Sequence, residues 1–518
     1  MIELPEKSLQ IIHIAEPQLG FAHGQTCEHP KDGLHLYGPN SGPTRPIKVR
    51  VGAVGTATGL AYLDKHLIAL CNPVDVPPPG KTDKENRLHL SNFPGLEETF
   101  GISIDTKSIA RRVVKIEEIE RATLIINHHE AVREVVDVYV KAIDEHEKNE
   151  EQSVDIWILV LPEIIYDRCK PKSRRSGLNL VLGTFARTQS KKIDLPLFAD
   201  VIDQSAEEIF EDMPNFHRQV KAQLLRRAKT SQLVRETTLA PAEFVNKAGY
   251  PSRPIQEPAS VAWNLATGIY YKTQPEPPWK LASARPGVCY IGLVFKVLPN
   301  HPKHHACCAA QMFLSEGDGI VFRGANGAWK TSDYEFHLSE SEAKKLIQKV
   351  IDTFTEKHGK PPTELFIHGK TTFNKVEWDA FSSVCPPGTN LVGVRIKTTD
   401  GDTKLFRDGD YPVLRGTAMI LDDRNAFLWT TGFLPRLDTY IGPETPNPLS
   451  VTILKSTGPT PPIENVLGDI MGLTKLNYNA CNFNDSLPVT IQFADKVGDV
   501  LTLKAAQGAE KQPFKYYI

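Results

Sequence analysis

The stretch VDIWILVLPE, Val154 to Glu163, decides how the chain is read. Its apolar residues do not alternate with polar ones; they run for the length of one strand and stop at Pro162. A strand covered on one face would alternate, so this run is the pattern of a strand buried on both faces, as in a parallel sheet between layers of helix. Helical sequence follows, including FHRQVKAQLLRRA (216–228), then a second strand at Ser231–Thr238 and a helix near Ala259–Lys272. Strand and helix in alternation predict a Rossmann-like domain over residues 151–280.

Upstream, Lys48–Val54 alternates like a strand, and Ala57–Leu70 reads as a short helix running into an apolar strand. The proline-rich NPVDVPPPG (72–80) is an exposed loop. Between Asp105 and Glu150, apolar residues at spacings of three and four predict two amphipathic helices ending in the charged DEHEKNEEQ. Residues 1–150 are therefore expected as an N-terminal α/β segment that packs on the later domains or on a partner. Downstream, CYIGLVFKV (289–297), ACCAAQMFLSE (306–316) and GIVFRG (319–324) predict three strands in succession. A helix follows, capped by Ser339 with Glu342, carrying one apolar face from Ala343 to Phe354 and stopped by Gly359. Strand Glu364–His368, helix Lys375–Ser383 and strand Asn390–Ile396 complete the order of an RNase H-like core within residues 281–518.

The 518 residues are 41% hydrophobic, and 60 Lys and Arg stand against 62 Asp and Glu for a formal net charge of -2. A polyanion site would have to be a local patch. The eight cysteines lack CxxC spacing, which excludes a zinc ribbon and leaves reduced thiols. No basic segment leads into an apolar run at the N-terminus, and no run approaches the roughly 18 apolar residues of a membrane span. A cytoplasmic protein without a membrane partner is expected. Phosphate loops of the GxxxxGK[ST] or GxGxxG type are absent, which argues against a nucleotide hydrolase.

RNase H-like folds hydrolyse phosphodiesters when carboxylates converge on divalent cations. The expected positions, in the first strand and at the end of the strand after the long helix, hold Leu293 and Gly369, neither of which can bind magnesium. Asp495 is a single candidate acid, more often a solvated surface residue. An active nuclease built on acids placed elsewhere, such as Asp318, Glu335 and Asp495, stays as the alternative. In the central region His217 and Lys221 lie four apart on one helical face, with Gln232 at a strand start and Lys272 near a helix end. Imidazole, ammonium and amide donors at one strand edge would suit a terminal phosphate, although an i, i+4 His–Lys pair on a basic helix is more often a solvated face. Tyr166 and Lys170 share the spacing but sit beside Pro171, where a helix fails. His301, His304 and His305 have no companion acids and read as a solvated loop.

Taken together, EPQLGFAHGQTCEHPKDGLHLYGP, HRQVKAQLL, SQLVRETTLA, AWNLATGIYYKTQPEPPWKL, RPGVCYIGLVFK, ACCAAQMF, LFIHGKTTFNKVEWDAF, LTKLNYNA and LPVTIQFADK resemble, in order and over nearly the whole chain, short prokaryotic Argonaute proteins. The resemblance implies a MID domain at 151–280 and a PIWI domain at 281–518. His217, Lys221, Gln232 and Lys272 then stand where the family binds the 5′-phosphate of a small guide RNA. The carboxylate of Ile518 stands where the family's terminal residue meets a magnesium ion at that phosphate. Many relatives have tyrosine at the position of His217, so guide affinity is expected to be pH-sensitive, with protonated His217 binding better. Leu293 and Gly369 imply a PIWI domain without catalytic metal. The resemblance further implies complementary single-stranded target DNA and a partner chain with an APAZ region joined to an effector, a TIR domain first, otherwise a sirtuin-like or nuclease domain, in defence against phage or plasmids. Lys370, Arg395, Lys397 and Arg415 are the candidate cations along the duplex groove.

Overall fold

The computed structural model describes residues 9–41, 47–79, 87–149, 153–171, 173, 214–297, 305–313, 319–322, 326–330, 336–440, 442, 444–501, 503 and 511–518. The chain opens with β1 (Gln10–His13), which ends at the far edge of the larger sheet, paired antiparallel to residues 417–420. Next come β2 (Val51–Gly55), α1 (Ala57–Leu70), β3 (Ala110–Val113), α2 (His128–Asn149), β4 (Ile156–Leu161), α3 (Phe216–Arg226), β5 (Ser231–Arg235) and α4 (Pro258–Thr273).

The strands β3-β2-β4-β5 form a parallel sheet in that order. Every residue of β4 is at most 8% exposed. Ile156, Ile158 and Val160 pack into a core shared with α1 and α4, while Trp157, Leu159 and Leu161 pack into a second core with α2 and α3. Burial on both faces is what an unbroken apolar run can satisfy. The sheet is doubly wound, and it also corrects the expected division. β2 and β3 belong to it, so residues 1–150 supply half of its described strands and position 151 falls inside the unit. The apolar end of Ala57–Leu70 continues the helix instead of starting a strand, because Leu60, Leu63, Leu67 and Leu70 keep one buried face.

Helix α3 ends in a Schellman turn: the N–H of Ala228 donates to the Leu225 carbonyl and that of Lys229 to the Leu224 carbonyl. Ala228 takes the left-handed conformation this turn requires, at φ 49°. A side chain there costs about 1–2 kcal/mol, of which glycine gives back roughly 0.5–1 through its freer unfolded chain. Ala228→Gly is therefore expected to stabilise the protein by about 0.5–1 kcal/mol. A lower denaturant midpoint in the variant would show that no such strain is stored.

The larger sheet is built from β6 (Val288–Val297), β7 (His305–Phe313), β8 (Gly319–Phe322), β9 (Glu364–Gly369), β10 (Asn390–Thr398), β11 (Thr417–Ile420), β12 (Asn425–Leu428), β13 (Leu449–Ser456) and β14 (Lys511–Pro513). Its order is β1-β11-β12-β13-β10-β9-β6-β7-β8-β14. β7 and β8 lie antiparallel on one side of β6, and β9 and β10 parallel on the other. That is the order 3-2-1-4-5 of an RNase H-like core, as the sequence led one to expect. Helices α5 (Glu340–His358) and α6 (Lys375–Val384) cover one face. The Ser339 hydroxyl caps α5 and Gly359 closes it at φ 73°. α7 (Val489–Leu501) covers the other face so closely that a Cβ on Gly292 would lie 1.7 Å from the Thr490 carbonyl oxygen. Among the described residues no helix is long and apolar enough to cross a membrane.

Candidate anion-binding site

The Asn215 side chain caps α3 and starts a helix whose apolar residues face β4 and α2. Lys221, in its middle, is carried under β5 and is only 1% exposed. Its ammonium group donates to the Ser231 carbonyl at 2.7 Å and to the main-chain oxygen of Ile518 at 2.5 Å. Lys272, in the last turn of α4, is 2% exposed and donates to Gln232 Oε1 at 2.6 Å and Asn479 Oδ1 at 3.3 Å. Gly268, one turn earlier, gives those amides room: a Cβ there would lie 3.2 Å from Gln232 Oε1 and 3.9 Å from Asn479 Oδ1. On its other side Lys272 borders a cavity of about 230 Å³ shared with Lys229 and Lys515.

Both ammonium groups are thus buried against main-chain and amide oxygens, and among the described residues neither has an Asp or Glu side chain at ion-pair distance. Burial pushes Lys221 well below the ordinary lysine range, and the charge of Lys272 pushes it further. Burial alone brings Lys272 down to about 7. Buried cations are normally paired. An oxyanion between these two would accept charge-assisted hydrogen bonds from both, and the amides of Gln232 and Asn479 could turn their N–H groups toward it.

Of the four residues singled out in the sequence, Lys221, Gln232 and Lys272 come together, with Ile518 beside them. His217 is exposed one turn earlier on α3. Sequence reasoning missed Asn479 and Gly268. A glycine inside a helix, which costs about 1 kcal/mol relative to alanine, was the one available signal for the second. Tyr166 and Lys170 form a different cluster at the opposite end of β4: the Lys170 ammonium sits 2.9 Å from the centre of the Tyr166 ring.

In the larger sheet Leu293 and Gly369 are register partners on β6 and β9. Leu293 packs beneath α5 and α6 with Met312 and Ile367, the face opposite α7, which carries Asp495. β6 contains no Asp or Glu, and the one acid of β9, Glu364, sits at its start and pairs with Arg285. His368 is fully buried, held near pKa 3 by burial, and its Nδ1 lies 2.9 Å from Thr490 Oγ1. Asp318, Glu335, His301, His304 and the side chain of Asp495 lie outside the described residues; His305 begins β7. Among the groove candidates, Lys370 and Lys397 are exposed, and Arg395 is half-buried on β10, between β9 and β13. Arg415 is not a groove cation. It is 3% exposed, and its guanidinium is held by Glu16 and the hydroxyl of Thr474.

No protein-family model and no curated protein matches the chain. Its fold is shared with solved Argonautes. Clostridium butyricum Argonaute, bound to a guide DNA and a 19-mer target DNA, superposes with a TM-score of 0.59 at 16% identity over 99% of this chain and 55% of that one. Aa-Ago with externally bound siRNA gives 0.52 at 16% identity over 98% and 56%. Aquifex aeolicus Argonaute gives 0.51 at 15% identity over 98% and 57%. The chain therefore spans a little over half the length of these structures.

Proposed function

We propose that this Argonaute-like chain is a guide-binding recognition subunit with no cutting activity of its own. The Lys221–Lys272 pocket receives the 5′-phosphate of a small guide RNA, and the RNase H-like sheet supports the guide paired to complementary single-stranded DNA. Base pairing supplies sequence specificity while the protein holds backbone and shape. The observation that carries this reading is the pair of buried ammonium groups with no Asp or Glu side chain between them. The fit of magnesium is also favourable: the Ile518 main-chain oxygen already reaches the pocket, and Mg²⁺ takes oxygen ligands with phosphate and water completing its shell. Bound there, the ion would neutralise phosphate charge that the two lysines leave.

Neither central strand, β6 or β9, has an acid at the positions where hydrolysis would need one. The response to a target is therefore assigned to a partner chain, an APAZ-containing effector with a TIR domain as the first candidate, in defence against phage or plasmids. Purified protein should retain short RNA bearing 5′-phosphate and leave a complementary DNA strand intact in the presence of manganese. Discrete cleavage that disappears in Asp495→Asn would instead establish the nuclease reading.

A further inference from the structure

The Tyr166–Lys170 pair belongs to a cluster that the guide-end pocket does not use. It lies where β4 and β5 end. In doubly wound parallel sheets, ligands bind outside the carboxyl ends of the strands. Here the helix N-terminus nearest the strand crossover is already occupied from within. The Glu236 carboxylate accepts a hydrogen bond from the α1 cap, Thr56 Oγ1, at 2.8 Å, and it lies so close that a Cβ on Gly59 would be 2.6 Å from it. An incoming anion is thereby left the ends of β4 and β5.

Three cations meet there. Arg235, the last residue of β5, is held by Glu163 and stacks 3.4 Å from the centre of the Tyr166 ring. Lys170 covers the same ring. Arg253 donates to the hydroxyls of Thr237 at 2.8 Å and Thr238 at 2.5 Å. Glu163 is engaged by Arg235 and Thr237, and Glu236 by Thr56. Among the described residues Lys170 and Arg253 have no carboxylate at ion-pair distance, yet they are held near a third positive charge, whose field, after burial, lowers the Arg253 pKa. A surface latch needs only Arg235 and Glu163; the two further cations are left for a ligand.

We propose that Lys170, Arg235 and Arg253 form a second phosphate-binding site, distinct from the Lys221–Lys272 pocket. Gln232 and Arg235 are three residues apart on β5, about 10 Å along a strand, roughly the rise of three stacked nucleotides. The phosphate is thus either an internal one of the strand whose end sits in the first pocket or that of a free nucleotide. The first source rests on the proposed guide function; the second does not.

The test uses the full chain carrying Lys170→Gln with Arg253→Gln, and separately Lys221→Met. The probes are a 5′-phosphorylated RNA 18-mer, AMP and inorganic pyrophosphate. If the source is the strand, the double variant should bind the 18-mer about tenfold more weakly, with the slope of log affinity against log salt reduced by about one. Its AMP binding should be unchanged. If the source is a free nucleotide, AMP and pyrophosphate should still bind the Lys221→Met protein and be lost when the double substitution is added. A double variant equal to the native protein for all three probes overturns the site. If Lys221→Met leaves 5′-phosphate dependence intact while the double variant loses affinity, the guide-end reading fails and the second site stands.

Discussion

Replacing Lys272 with alanine should weaken binding of a 5′-phosphorylated guide by about 2–5 kcal/mol, roughly 30- to 5,000-fold, as expected for truncating one partner of a buried charged hydrogen bond. Lys221→Ala should match it, and a 5′-hydroxyl guide should show little of either effect. The pH dependence has a definite sign. With Lys272 brought down to about 7 in the empty pocket, the free protein above that pH holds it largely neutral, while a bound phosphate requires the ammonium form. Binding must therefore take up a proton, and affinity should fall as pH rises above 7. Stability of the free protein should move the other way. Between about 7 and the ordinary lysine value of about 10.4 the unfolded chain binds the extra proton, so unfolding becomes harder as pH rises through that window. Lys272→Met should flatten both profiles, and the same titrations in His217→Ala remove any part due to the imidazole. Guide affinity independent of pH from 6 to 9, with no loss in Lys272→Ala, would sink the assigned pocket.

The parts of this molecule that were legible in the sequence are those whose cause is local. β4 was readable because a strand covered on both faces leaves no polar positions to fill, and α5 because its cap, apolar face and terminal glycine are each set within a few residues. β2 and β3 were not assigned to the parallel sheet. VGAVG and ARRV are short, and the pairing that joins them to β4 spans 105 residues between Val51 and Ile156. The Lys221–Lys272 pocket shows the same division. Lys221 shares a helix with His217 and lies 11 residues from Gln232, whereas Asn479 reaches Lys272 across 207 residues and carries no local mark. Arg415 reads in the sequence as an exposed cation and a groove candidate because sequence gives a charge but not its partner. Glu16, 399 residues away, supplies that partner and turns a surface expectation into a buried one.

That buried contact supports the second large prediction. Glu16 accepts from Arg415 Nε at 2.8 Å and from Lys475 Nζ at 2.6 Å, and the side chains of Arg415 and Lys475 are 1% and 0% exposed. One carboxylate thus balances two buried cations and ties the start of the chain to the larger sheet. Glu16→Gln preserves size but leaves both cations without a carboxylate, which should cost about 3–5 kcal/mol of stability. Burial by itself would raise the Glu16 pKa, but Arg415 and Lys475 outweigh it and hold the value below the ordinary range. Its stabilising contribution is therefore complete above the unfolded-chain value of about 4.3 and is lost as pH falls through the lower folded value. Native protein should lose stability across that acid window more steeply than Glu16→Gln. Adding Arg415→Met to Glu16→Gln should recover part of the loss by removing one orphaned charge, and the coupling is read from a double-mutant cycle in denaturant. If Glu16→Gln unfolds within 1 kcal/mol of the native protein, the two cations do not depend on this carboxylate, and the N-terminal strand is held by its pairing with β11 and the packing of Ile12 and Ile14 on the core.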